Sequence, residues 1–134
     1  MDWKLEVVII PVADVERAKR FYAEQLGWPV DNDVQNGPMR VVQLTPPGSS
    51  CSVTIGPVRR STAEPGEGRA RLQLVVPDVE AARAELLERG IDVGPVTRFG
   101  AQGPEEGHGG DFNSFVFFSD PDGNSWGAQQ IATP

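Results

Sequence analysis

The chain alternates apolar runs with amphipathic stretches, and it does so twice. After the apolar run from Leu5 to Ile10, Val15, Ala18, Phe21, Tyr22 and Leu26 recur three and four positions apart and end at Gly27. After the run from Leu72 to Val76, Val79, Ala82, Leu86 and Leu87 do the same and end at Gly90. Apolar positions at that spacing, separated by Arg, Lys and Glu, predict helices with one buried face. Asp14 and Asp78 stand where a side chain caps the unpaired amides of a helix start, and Gly27 and Gly90 where a left-handed turn ends one. The phrase Val12-Ala-Asp-Val-Glu-Arg-Ala18 itself returns as Val76-Pro-Asp-Val-Glu-Ala-Ala82. The chain is therefore read as an internal duplication.

Short β-rich runs follow each helix. In the first half these are Val30 to Asp33, Arg40 to Leu44 and Cys51 to Ile55, the last two joined by the turn-forming Thr45-Pro-Pro-Gly-Ser-Ser50. In the second half they are Asp92 to Thr97, Ser114 to Ser119 and Ser125 to Ile131, with Asp120-Pro-Asp-Gly-Asn124 as a hairpin turn. The predicted class is α+β: two tandem βαβββ modules in one domain, 1–56 and 69–134, joined by a polar linker over 57–68. Phe99 to Phe112 is expected to be a long loop. It holds Gly100, Gly103, Gly107, Gly109 and Gly110, the acids Glu105 and Glu106, and the single histidine, His108. Loops of that length inside a compact domain are usually functional or mobile.

Composition narrows the function classes. Hydrophobic residues at 39% and charged ones at 23% suit a soluble globular chain with a real core rather than a disordered one. No apolar run reaches the roughly 20 residues of a membrane span, and MDWKLEVVII lacks the features of a signal peptide. The single Cys51 forms no internal disulfide and reads as a small buried filler, so the expected compartment is the cytoplasm. A net charge of −7 disfavours nucleic acid and anionic membranes as partners, because both select clustered cations. A small molecule is the expected partner.

Val-x-Asp-Val-Glu-Arg-Ala-x-x-Phe-Tyr-x-x-x-Leu-Gly-Trp at 12–28, its echo at 76–90 and Asp-Pro-Asp-Gly-Asn at 120–124 together resemble the vicinal oxygen chelate superfamily. That group includes glyoxalase I, extradiol dioxygenases, and fosfomycin- and bleomycin-resistance proteins. The resemblance implies curved mixed sheets around a cavity, with a metal held by a His seven residues before each capping Asp and by carboxylates on the last strand of each module. Those positions are Val7, Arg71, Gly127 and the stretch Thr54 to Gly56. None carries a ligand: valine and glycine have no donor, and arginine stays protonated. No metal and no cofactor are expected. A displaced set of Glu105, Glu106, His108 and Asp111 is the remaining metal candidate, with a solvated acidic loop as the plainer reading.

Strand alternation predicts the cavity lining. Val8, Ile10 and Val12 are expected in the core, with Leu5, Val7 and Ile9 facing the cavity. Leu72, Leu74 and Val76 are expected in the core, with Arg71, Gln73 and Val75 opposite. Val116 and Phe118 point inward, leaving Phe115, Phe117, Gly127 and Gln129 on the concave face, with Trp126 at its mouth. The expected substrate-binding set is Val7, Ile9, Arg71, Gln73, Phe115, Phe117, Trp126 and Gln129, mainly apolar and aromatic with a few polar anchors. If there is catalysis, Arg71 would stabilise an oxyanion and His108 would move a proton.

Four functions compete. One is metal-independent binding, with or without transformation, of a hydrophobic or aromatic metabolite such as a natural product. A second is drug sequestration of the bleomycin-resistance type, without catalysis. The third is a metal-dependent glyoxalase-type lyase or dioxygenase. The fourth is a partner-binding module that keeps only the fold. Exposed edge strands and the family's habit also imply a homodimer.

Overall fold

The computed structural model describes residues 1–57 and 69–132. Of the expected linker over 57–68, residues 58–68 thus lie outside the described residues. The chain divides into two compact units, Met1–Ala70 with Pro121–Asn124, and Arg71–Asp120 with Ser125–Pro134.

The first unit holds a four-stranded mixed sheet. Its strands are β1 (Val7–Val12), β2 (Val30–Asn36), β3 (Met39–Leu44) and β4 (Ser52–Pro57), ordered β1-β4-β3-β2 with β1 and β4 parallel. Between β1 and β2 lies α1 (Val15–Lys19), continued by a π-helical segment over Arg20–Gln25. The Asp14 carboxylate accepts from the Arg17 amide and caps the start. The wider winding shows at the end, where the Leu26 amide donates to the Phe21 carbonyl before Gly27 turns the chain at φ +74°. Ile10, Val12, Val42, Leu44, Val53 and Ile55 form the buried face of the sheet, and Ala18, Phe21, Tyr22 and Leu26 are buried with them. Val7 and Ile9 project from the opposite, open face. Strand β2 is longer than the run to Asp33 and exposed along its length. It has no alternation for a sequence pattern to find. What creates it is pairing with β3 across the tight turn at Gly37, φ +62°.

Charge ties α1 to this polar edge. Arg40 of β3 grips Asp33 of β2 through Nε at 3.0 Å and Nη2 at 2.7 Å, and pairs with Glu16 of α1. Lys19 of α1 reaches the same Asp33 at 2.8 Å. Hydrogen bonds from Arg40 first, then Lys19, hold the Asp33 carboxyl well below the usual carboxylate range, and Arg40 lowers Glu16 as well.

The turn motif at 120–124 supplies more than a reversal. Within the first unit, buried Asn124 accepts from the Ala70 amide at 2.7 Å and donates to the Pro11 carbonyl at 3.0 Å. One oxygen of Asp122 accepts from the Ala13 amide at 2.8 Å and from Arg17 at 3.0 Å. Two side chains of the motif therefore satisfy backbone and charge where β1 ends and α1 begins.

The second unit repeats the plan with one strand more: β5 (Arg71–Val76), α2 (Val79–Glu88), β6 (Thr97–Gly100), β7 (Gly103–Glu106), β8 (Phe115–Ser119) and β9 (Ser125–Gln130). The order is β5-β9-β8-β6-β7, with β5 and β9 parallel. Asp78 caps α2 through the Glu80 and Ala81 amides, and Gly90 ends it at φ +78°. Two expectations are corrected here. The stretch Asp92 to Thr97 is not a strand: Val93 makes an isolated bridge to Phe118, and the strand begins only at Thr97. The expected loop from Phe99 contains the hairpin β6–β7, turned at Gly103 with φ +107° and bridged by Arg98–Glu105 at 3.2 Å. Its polar, glycine-bearing sequence hides a strand that cross-strand pairing makes.

Asn124→Ala is expected to cost about 2–4 kcal/mol, because it leaves two backbone groups without partners. Urea unfolding measures this, and a loss under about 1 kcal/mol would mean that water replaces the side chain. A second expectation concerns acid. Lowered carboxyl pKa values stabilise the fold above the unfolded-state values near 4, and that stabilisation is lost as pH falls through and below them. Asp33→Asn should lower Tm at pH 7 and flatten the decline of Tm between about pH 4 and 2. Parallel Tm curves for the two proteins would remove the network from the account of acid stability.

Candidate functional site

The open face of the second unit's sheet carries an unusual surface. Register sets its rows: Gln73 pairs with Gly127 and Gly127 with Phe117, while Val75 pairs with Gln129 and Gln129 with Phe115. Arg71 pairs with Ser125, and Ser125 with Ser119, in the row beyond. Residues paired in this way share a face. The opposite face is core, with Val116, Phe118, Trp126 and Ala128 all buried.

Three phenylalanines cluster on the open side. Phe115 and Phe117 lie parallel, with ring centroids 5.8 Å apart, and Phe99 of β6 stands edge-on to both at 5.3 and 6.4 Å. Phe99 and Phe117 remain 48% and 41% exposed. Parallel and edge-on contacts at these distances are favourable, yet the rings still show large apolar areas to solvent. Gly127 makes room for this arrangement: a Cβ there would stand 3.0 Å from the Phe117 ring, inside ordinary contact distance.

Amides frame the rings. The Gln73 amide donates to Gln129 Oε1 at 2.8 Å, and the Gln129 amide donates to the Phe112 carbonyl at 2.9 Å. Phe112 sits in the left-handed region at φ +68°, unusual for a bulky residue, and its side chain is 63% exposed. Its own amide donates to the Gln130 carbonyl at 2.8 Å. Arg71 is exposed at the end of β5, with no ion-pair partner among the described residues.

The sequence-derived site residues are thus divided. Arg71, Gln73, Phe115, Phe117 and Gln129 share the open face of one sheet. Val7 and Ile9 lie on the open face of the sheet in the other unit. Trp126 is not at a mouth: it is 1% exposed and stacked with Phe118 at 6.3 Å, because even-numbered positions of β9 point to the core. His108 is elsewhere again. Its Nδ1 accepts from the Gly110 amide at 3.2 Å, which leaves Nε2 to donate to Gln130 Oε1 at 3.2 Å. That same oxygen accepts the Val79 amide at the start of α2. Gln130 pairs with Val76, five residues along β5 from Arg71 and so roughly 17 Å away. Its side chain also points to the helix side of the sheet, so His108 and Arg71 do not converge on one reacting atom. Sequence reasoning missed Phe99 and Phe112, since neither falls in an alternating apolar run.

A model of the glyoxalase/bleomycin resistance protein/dioxygenase superfamily matches residues 4–127. The chain belongs to this superfamily. Among solved structures it is similar to TnmS3, an antibiotic binding protein from Streptomyces sp. CB03234, with 29% identity, 98% of each chain covered and a TM-score of 0.74. A glyoxalase/bleomycin resistance protein from the same organism is 32% identical, with 95% of this chain and 100% of that one covered and a TM-score of 0.71. A superfamily member from Sphaerobacter thermophilus DSM 20745 is 28% identical, with 97% and 98% covered and a TM-score of 0.70. No curated protein matches.

The superfamily's metal can be tested against these residues, and they do not fit it. Val7, Arg71 and Gly127 offer no ligand atoms, and the Phe117 ring occupies the space into which a carboxylate on residue 127 would grow. The displaced set fares no better. Glu105 pairs with Arg98, Asp111 accepts from Gln130, and both nitrogens of His108 are engaged. Among the described residues no three His, Cys, Asp or Glu side chains group so as to hold a metal ion.

The two faces of the sheet predict opposite mutational responses. Trp126→Ala should cost about 3–5 kcal/mol of unfolding free energy, as for a fully buried large aromatic, and Phe117→Ala less than half of that. Denaturant titrations decide, and equal costs would mean that Phe117 serves packing alone.

Proposed function

We propose that this superfamily member binds a small planar aromatic metabolite on the open face of its second unit, without a metal, and returns it unchanged. The observation that carries this reading is the Phe99–Phe115–Phe117 cluster, with Phe99 and Phe117 exposed and Phe115 half-buried, on a sheet face where polar side chains would ordinarily meet solvent. Large contiguous apolar surface edged by a few polar groups is what ligand sites present. Here the polar edge is Arg71, Gln73 and Gln129. The side chains named on this face are guanidinium, amide, hydroxyl, phenyl and aliphatic groups, with no imidazole or carboxylate of the kind that general acid–base catalysis most often uses. Similarity to TnmS3, an antibiotic binding protein, supports binding over turnover. The acidic balance of the chain, −7, favours neutral or cationic ligands over anionic ones. The reading keeps the cytoplasmic homodimer expected from the sequence; the exposed edge strand β2 is one surface on which copies would pair.

Titration of chelator-treated protein with 2-naphthol, followed by its fluorescence, tests the proposal. Saturable binding is expected, unchanged by added zinc, nickel, manganese or iron and weakened about tenfold or more by Phe117→Ala, the cost of one lost stacking partner. The naphthol should be recovered intact by chromatography. Absence of saturation, or binding only with metal present, would overturn the reading.

A further inference from the structure

Hydrogen-bond polarity on this face is determined by the backbone. The Phe112 carbonyl can only accept, so the Gln129 group 2.9 Å from it must be the amide nitrogen. That orientation turns Gln129 Oε1 toward Gln73. An oxygen facing Gln73 at 2.8 Å requires the Gln73 nitrogen in turn. The Gln73 carbonyl oxygen is then the acceptor that this relay leaves unused, beside one remaining amide N–H, on an exposed side chain in the row of Gly127 and Phe117. Glutamine ordinarily flips to suit either a donor or an acceptor. Here a flip of Gln73 would set two carbonyl oxygens against each other, and a flip of Gln129 would set two amide nitrogens together and leave the Phe112 carbonyl facing an oxygen.

From this we infer that the face selects among aromatic ligands: it favours those that carry an O–H or N–H donor beside the ring system, taken up by Gln73 Oε1. The inference rests on the aromatic-binding reading and deepens it. Gly127 contributes by leaving no side chain between Gln73 and the Phe117 ring, so a substituent on a ring stacked at Phe117 meets Gln73 directly. Gln129 is a positioning residue: its amide is engaged by the Phe112 carbonyl and its Oε1 by Gln73, and through that bond it orients the Gln73 amide. Phe112, held in its left-handed conformation by hydrogen bonds at both its amide and its carbonyl, anchors the relay.

Paired probes test it. 2-Naphthol donates a hydrogen bond, whereas 2-methoxynaphthalene has the same fused rings and cannot. The wild-type protein should bind the naphthol roughly three- to tenfold more tightly, the range one net hydrogen bond supplies. Gln73→Leu should bring the ratio to about one. Gln73→Lys keeps a donor for Gln129 Oε1 but offers no acceptor, and it should bring the ratio to one or below; its circular dichroism and Tm check that the sheet is intact. Saturable binding of both probes with equal affinity would overturn the inference and leave the aromatic site standing. A wild-type preference that survives both substitutions would also overturn it, by assigning the acceptor to another group. If neither probe saturates, the aromatic-binding reading fails and the inference falls with it.

Discussion

The register of the β5–β9–β8 ladder is the constraint on which the second unit depends. Side chains alternate across a strand, so a slip of one residue would carry Val116 and Phe118 to the open face and bury Phe115 and Phe117. What resists the slip is the core side. Trp126 stacks on Phe118, and Val116 and Ala128 fill the same layer. The arrangement of the exposed rings is thus specified by residues that no ligand touches.

Gly127 shows how a scaffold associated with metal chemistry accommodates a different surface. A carboxylate there would extend from the strand into the volume the Phe117 ring now fills. With no side chain at that position the ring leans across the strand, and Phe115 lies parallel to it. A side chain at 127 would crowd the Phe117 ring, which would have to give by a few tenths of an ångström. A face built this way gains apolar contact area, and residue 127 brings no carboxylate to it. Arg71, at another position where the resemblance implies a ligand, carries a guanidinium, which has donors but no lone pair to offer a cation.

Much of this was legible in the residues. The duplicated apolar runs, the caps at Asp14 and Asp78 and the stops at Gly27 and Gly90 correspond to local energetics that act wherever the chain goes. Alternation along β1 and β8 likewise separated the buried from the open positions, and along β5 the half-buried Leu72, Leu74 and Val76 from the exposed Arg71, Gln73 and Val75. The failures share a cause. The part of β2 beyond Asp33 and the β6–β7 hairpin are polar and gain their strand character only from neighbours, so no periodicity announces them. Trp126 was assigned by its place beside the turn rather than by its parity, and parity governs. His108 drew attention as the single histidine, but its partners are a backbone amide and a glutamine that braces the start of α2.

The least legible feature is the direction of the Gln73 amide. Glutamine carries a donor and an acceptor, and composition is silent on which one faces outward. The direction follows from a chain of local necessities: a carbonyl that can only accept, a glutamine turned to meet it, and a second glutamine turned to meet the first. Its origin is the backbone of Phe112, where a bulky residue holds positive φ at a cost of order 1–3 kcal/mol. Hydrogen bonds to Gln130 and from Gln129 offset that cost, so the strained residue and the ordered amides stabilise one another. Relaxing Phe112 would move its carbonyl and free Gln129 to turn, and the face would lose its polarity while keeping its rings. Shape on this surface is therefore set by the β-sheet, and hydrogen-bond direction by one strained peptide beside it.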